Sequence, residues 1–256
     1  MSDYLFGQLT DPNIYRLRPY FTNFIDQESN IYWNVLNNKL LINHQSVNIT
    51  SMFLRYNVFK EDNTLMNVNW HILKNYIKYN NIKTYNKNYH YETPTKLYNL
   101  LQAKDIGLPV LETECTDKTN RENVIAKPVT GGQHTQELNM SKFPVIFQRK
   151  ITGKNKRLYI VNDKHFGFEI VTDKLDYRDD ESSTVIEATF SDDIVNKTKQ
   201  LVNKLNLNFS ASDFMEDEKG IWYLETNTNP MFAAFDQTVN NQISIEIING
   251  LRQWVK

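Results

Sequence analysis

The chain carries one cysteine, Cys115, no apolar run long enough to cross a bilayer, and no surplus of positive charge. A single thiol excludes an internal disulfide and a cysteine-based zinc cluster, and it suits a reducing compartment such as the cytoplasm. No stretch reaches the about 18 apolar residues of a membrane helix. The opening "MSDYLFGQLTDPNIYR", with Asp3 and Asp11, is no secretory signal. No membrane partner is therefore expected. A net charge of -1 argues against a broad nucleic-acid-binding face, which needs a basic excess. His44, His71, His90, His134 and His165 are scattered without metal-ligand spacing. The motifs G-x-S-x-G, G-x-x-x-x-G-K-[ST] and G-x-G-x-x-G are all missing. There is no internal repeat.

What is present is globular. The 256 residues are 40% hydrophobic and 23% charged, which allows one large domain or a few small ones. Residues 1–87 read as a small α/β lobe. "IYWNVLNNKLLIN" gives two strands around Asn37 and Asn38, residues that tolerate the positive φ of a tight turn. "SMFLRYNVF" is a further strand, and "NWHILKNYIKYN" has Ile72, Tyr76 and Ile77 at helical spacing. Residues 88–147 form a second lobe. "TPTKLYNLLQAKDIGLP" is a helix that starts at a threonine and stops at Gly107 and Pro109. "NVIAKPVTGGQHTQEL" is a strand running into a glycine pair. Residues 148–256 form the third lobe. It has antiparallel strands up to "HFGFEIV", a helix capped by Ser191 with acids in its first turn, and a last helix "QISIEIINGLRQWV". The fold class is α+β.

The stretch "SASDFMEDEKGIWYLETNTNPMF" puts Asp213, Glu225 and Asn227 where a plain hairpin would carry Val, Ile or Thr. If its two strands pair across "EDEKG", with Gly220 taking the awkward backbone angle, Asp213 lies opposite Glu225 and Asn227 shares their face. Two opposed carboxylates repel unless a cation lies between them. Two carboxylates and an amide suit Mg²⁺, which completes its octahedron with water and phosphate. A solvated hairpin face with two acids is the plainer alternative. Lys127, ahead of Pro128, is a candidate phosphate contact at a strand end, and Gly131 and Gly132 lie in a loop whose amides could cover phosphates. Lys96, Arg157 and Arg178 are further cations on or beside predicted elements. A surface ion pair is the plainer account of each.

The order of these features carries a resemblance. A lysine-bearing helix ending in "GLPV", then "IAKP", "VIFQRKI", "RLYIV" and "DF…G-x-W-Y-L-E-T-N" resembles the ATP-grasp ligases over residues 90–250, and the graspetide (microviridin-type) peptide ligases most of all. The resemblance implies a small N-terminal lobe with central and C-terminal lobes sandwiching ATP. It also implies cofactors ATP and Mg²⁺, and ester or amide crosslinking of a precursor peptide with leader and core. A homodimer is left open. By position it implies that Lys96 and Lys127 hold phosphates and that Arg157 lies by the transferred phosphate. Gln148, Arg149, Lys150 and Ile151 match the hinge beside adenine, and Asp213, Glu225 and Asn227 the metal ligands. Asp176 and Arg178, in "DYR", match a D-x-R signature that engages the peptide core. Arg149 stands where relatives are usually acidic, and "NTNPMF" replaces N-P-N-G-Q-W. A ligase like glutathione synthetase or the ribosomal-protein glutamate ligases is the enzyme alternative. A degenerate ATP-binding module is the non-enzyme one.

Overall fold

The protein, studied as a computed structural model, is described over residues 2–55, 64–86, 95–116, 122–128, 136–137, 145–174, 180 and 182–253. It divides into two compact units, Met1–His90 with Met231–Lys256, and Tyr91–Pro230.

The first unit is built on the strands β1 (Asp3–Gly7), β2 (Asn23–Asp26), β6 (Ser51–Leu54) and β7 (Lys83–Thr84), all parallel in the order β2-β1-β6-β7. A parallel sheet hides both faces, so its central strand is apolar: Leu5 and Phe6 of β1 are fully buried. Helix α1 (Pro12–Leu17) follows β1, capped by Asp11, which accepts from the main-chain N–H of Asn13. Between β2 and β6 lies an antiparallel sheet of β3 (Ile31–Asn34), β4 (Lys39–Ile42) and β5 (Gln45–Val47). Helix α2 (Thr64–Tyr79) buries Leu73, Tyr76 and Ile77 in the same core as Phe6, Ile25 and Leu40.

The β3–β4 hairpin stands where the sequence suggests it, but only Asn38 of the asparagine pair has positive φ. The tight turn is the next one. Ile42 pairs with Gln45, and the two residues between, Asn43 and His44, have φ of 49° and 67°, the signs a type I′ turn requires. Sequence reading assigned neither β5 nor β1. With only eight glycines in the chain, asparagine takes most left-handed positions among the described residues: Asn81, Asn86, Asn123, Asn162, Asn206, Asn240 and Asn241 also have positive φ.

The second unit opens with α3 (Lys96–Ile106), bounded by the cap Thr95 and by Gly107 at φ 86°. A four-stranded sheet follows, with β8 (Thr113–Thr116), β9 (Val124–Pro128), β10 (Gln136–Glu137) and β11 (Val145–Arg149) in the order β10-β9-β11-β8. The larger sheet contains β12 (Lys154–Val161), β13 (Lys164–Val171), β14 (Thr184–Glu187), β15 (Phe209–Asp217) and β16 (Gly220–Asn227) in the order β14-β13-β12-β15-β16. Helix α4 (Asp192–Lys204), capped by Ser191, packs with α3 on one face of this sheet. Their core joins Leu100, Ala103, Leu201 and Val202 to Leu158, Ile160, Phe214 and Tyr223. Side chains alternate along a strand, so Arg157, Asp213 and their neighbours fall on the opposite face. The chain then returns to the first unit as α5 (Ala233–Thr238) and α6 (Gln242–Gln253). Among the described residues no helix is long and apolar enough to cross a membrane.

Candidate active site

The site is set by the β15–β16 hairpin. Its turn is tighter than the sequence suggests: Asp217 pairs with Gly220 across two residues. Asp217 Oδ1 explains this, because it accepts from the N–H groups of Lys219 and Gly220 and from the Trp222 indole at 2.9, 3.1 and 3.0 Å. Such a turn would set Asp213 against Leu224. A β-bulge between Asp213 and Phe214 corrects it: Phe214 pairs with Tyr223, Leu224 drops out of the ladder, and Asp213 lies opposite Glu225.

Cations gather round these carboxylates. Arg157 is buried on β12 opposite Asp213 and grips it with two bonds, Nε to Oδ1 at 2.6 Å and Nη2 to Oδ2 at 2.9 Å. Asn227 Nδ2 donates to Asp213 Oδ2 at 2.9 Å. Lys96 Nζ lies 3.0 Å from Glu225 Oε2. A lysine in the first turn of α3 stands at the positive end of the helix dipole, a placement that costs about 0.3–1 kcal/mol; the Glu225 partner offsets it. Burial pushes the Glu225 pKa up, but Lys96, Lys127 and Arg157 outweigh it and hold it below the ordinary value. Glu225 is therefore an anion at neutral pH.

Lys127 is buried on β9, and its Nζ donates to Gln148 Oε1 at 2.9 Å. Gln148, fully buried on β11, donates in turn to Thr113 Oγ1 at 3.1 Å. Arg149 donates its main-chain N–H to Glu112, and its guanidinium lies 5.1 Å over the Trp222 ring. Lys150 donates its main-chain N–H to Asn123, and Ile151 is partly buried. Gly131, Gly132, Asp176 and Arg178 lie outside the described residues. Thus Asp213, Glu225, Asn227, Lys96 and Arg157 are brought together, with Lys127 close enough to act on Glu225.

Sequence reading missed a polar layer beneath the hairpin. Ser212 and Thr226 are buried, and their hydroxyls meet at 2.8 Å. Tyr223 donates to the Thr226 hydroxyl at 2.8 Å, and burial raises its pKa so far that it keeps its proton. Asn99 of α3 reaches the Thr226 carbonyl at 3.1 Å. The available signal was hydroxyl residues at inward strand positions that ordinarily hold aliphatics.

The donor set fits magnesium. Among the described residues no three histidine, cysteine or carboxylate side chains cluster to hold a metal. Two carboxylates and an amide on one face instead match an ion that keeps water and phosphate ligands.

No protein-family model matches the chain, and no curated protein is significantly similar to it. Solved structures are similar. The ATP-grasp ligase PsnB complexed with minimal precursor has 20% identity and a TM-score of 0.80, over 100% of this chain and 99% of that one. A Chryseobacterium gregarium RiPP-associated ATP-grasp ligase, in complex with ADP and a leader and core peptide, has 18% identity and a TM-score of 0.78 over 100% and 98%. The macrocyclase MdnC bound with precursor peptide MdnA, from Microcystis aeruginosa MRC, has 14% identity and a TM-score of 0.72 over 98% and 99%.

Proposed function

From this ATP-grasp fold, we propose that the chain is an ATP-dependent ligase that forms side-chain ester or amide crosslinks in a ribosomally made precursor peptide. The observation that carries the reading is the facing pair Asp213 and Glu225, with Asn227, paired to Arg157 and Lys96 and, at Glu225, under the charge of Lys127. A plain surface hairpin has no need to concentrate opposite charges in this way. A reaction that handles a triphosphate does.

A peptide carboxylate attacks the γ-phosphorus of ATP, the bond to the β-phosphate oxygen breaks, and ADP leaves. A hydroxyl or amine of the same peptide then attacks the acyl carbon, phosphate leaves, and the attacking group loses its proton. Asp213, Glu225 and Asn227 would hold magnesium, which would neutralise charge on the phosphate oxygens. Lys96 and Lys127 hold the phosphates, and Arg157 offsets charge on the group in transfer. The peptide substrate is supported by the PsnB, C. gregarium and MdnC complexes and by the sequence "DYR", in which Arg178 is assigned to the peptide core. ATP supply and a lone reduced thiol suit the cytoplasm.

The test is mass spectrometry of a candidate precursor after incubation with enzyme and Mg·ATP. One water lost per crosslink, with matching ADP, is expected. ADP formed only with small acids and amines would assign the chain to the glutathione-synthetase type instead. Arg178→Ala should keep ADP binding and lose the crosslinked product.

A further inference from the structure

Asn99 lies one helical turn after Lys96 on α3 and is 2% exposed. Its Nδ2 donates to the main-chain carbonyl of Thr226 at 3.1 Å. Thr226 stands between Glu225 and Asn227, and alternation turns its side chain into the core while theirs point away. There the Thr226 hydroxyl is held by Ser212 and Tyr223, each at 2.8 Å. Strand β16 is the last strand of its sheet, and among the described residues its outer edge meets only a parallel bridge from Val110 to Tyr223. The Pro109 carbonyl takes the N–H of Tyr223 at 2.7 Å, and the Asn99 amide takes the carbonyl of Thr226. One end of this second contact is the helix that bears Lys96; the other is the peptide between two metal-ligand positions.

We propose that Asn99 is a positioning residue that fixes β16 against α3, and so sets Glu225 and Asn227 relative to Lys96 for a metal–nucleotide complex. The proposal rests on the function given above. Stability alone does not favour an amide at this position. Asn99 Oδ1 is buried with no hydrogen-bond partner among the described residues, a free-energy cost that a leucine of the same branched shape avoids. Leucine would leave the Thr226 carbonyl without its side-chain partner, and the two effects oppose each other. What leucine cannot do is hold the strand at a fixed distance from the helix.

The experiment is a titration of Mn²⁺ into protein with saturating ADP, read by electron paramagnetic resonance, together with thermal unfolding of each variant. Wild-type protein should bind Mn·ADP. Asn99→Leu should bind it about tenfold more weakly, the usual scale for loss of a residue supporting a metal ligand. Its Tm should stay within about 4 °C of wild type. Asn99→Ala, read in the same way, serves if the leucine variant fails to fold. Wild-type protein that binds no Mn·ADP would sink the proposed function and this role with it. Wild-type binding with unchanged binding in the variants would sink the Asn99 role alone.

Discussion

Asp213 and Glu225 lie opposite each other across β15 and β16 only because Leu224 is left out of the ladder between them. The bulge turns a regular hairpin into a carboxylate pair, which Arg157 and Lys96 then neutralise from two sides. Glu225→Gln keeps the shape and removes the charge. It should lower the rate of ADP formation by about a hundredfold or more, the scale for losing one aligned electrostatic contact in a dry site. Steady-state ADP release checks this, and a rate near wild type would remove Glu225 from the proposed metal set.

A second buried pair holds the first unit. Arg55 Nε lies 2.6 Å from Asp11 Oδ2, with both side chains less than a tenth exposed. Asp11 also caps α1 and accepts from the Asn13 side chain, and Asn13 Oδ1 takes the N–H groups of Phe232 and Ala233 at 2.6 and 2.9 Å. Asp11→Ala leaves a buried guanidinium without this anion and strips the cap. The expected loss is about 3 kcal/mol in urea unfolding. A loss below about 1 kcal/mol would show that Arg55 finds adequate partners elsewhere.

Asp180 gives a pH prediction. Hydrogen bonds from the Ser182 and Thr172 hydroxyls lower its pKa from the ordinary 3.8 to about 2. The folded pKa is the depressed one, so the stabilisation is complete above the ordinary value and disappears as pH falls through about 2. The contact of Thr172 Oγ1 with Asp180 at 2.6 Å joins the two flanks of the segment that contains "DYR". Carbon-13 titration of the Asp180 carboxyl should show the depressed midpoint, and Ser182→Ala should move it toward 3.8.

The sequence revealed the elements with local signals and concealed those set by distant partners. Thr95, Gly107 and Ser191 mark helix ends through contacts a few residues away, so α3 and the start of α4 were legible. The facing of Asp213 and Glu225 was legible as a register, but its route was not. The expected regular register across "EDEKG" and the observed two-residue turn with a later bulge give the same pairing at residue 213. The sequence marks Asn37 and Asn38 as turn residues, but it does not mark Asn43, Asn162 and Asn206, which take backbone angles usually left to glycine. Asn99 was not legible at all. A mid-helix asparagine is normally a solvated residue, and its partner lies 127 positions along the chain.

The resemblance to the ATP-grasp ligases implies a hinge role beside adenine for Gln148, and its side chain lies between Lys127 and Thr113. The direction of this chain of bonds is fixed. Thr113 donates its hydroxyl proton to the Leu111 carbonyl at 2.7 Å, so it can only accept from Gln148 Nε2, which leaves Gln148 Oε1 for the Lys127 ammonium. A neutral amide orients Lys127 without cancelling its charge toward a phosphate. Gln148→Glu would put an anion against Lys127 and set a second acceptor against Thr113. The KM for ATP should rise about tenfold, the effect of one charge-assisted phosphate contact, while kcat falls less. An ATP titration separates the two parameters. Equal losses in both would mean that Lys127 acts in the transfer step rather than in holding the nucleotide.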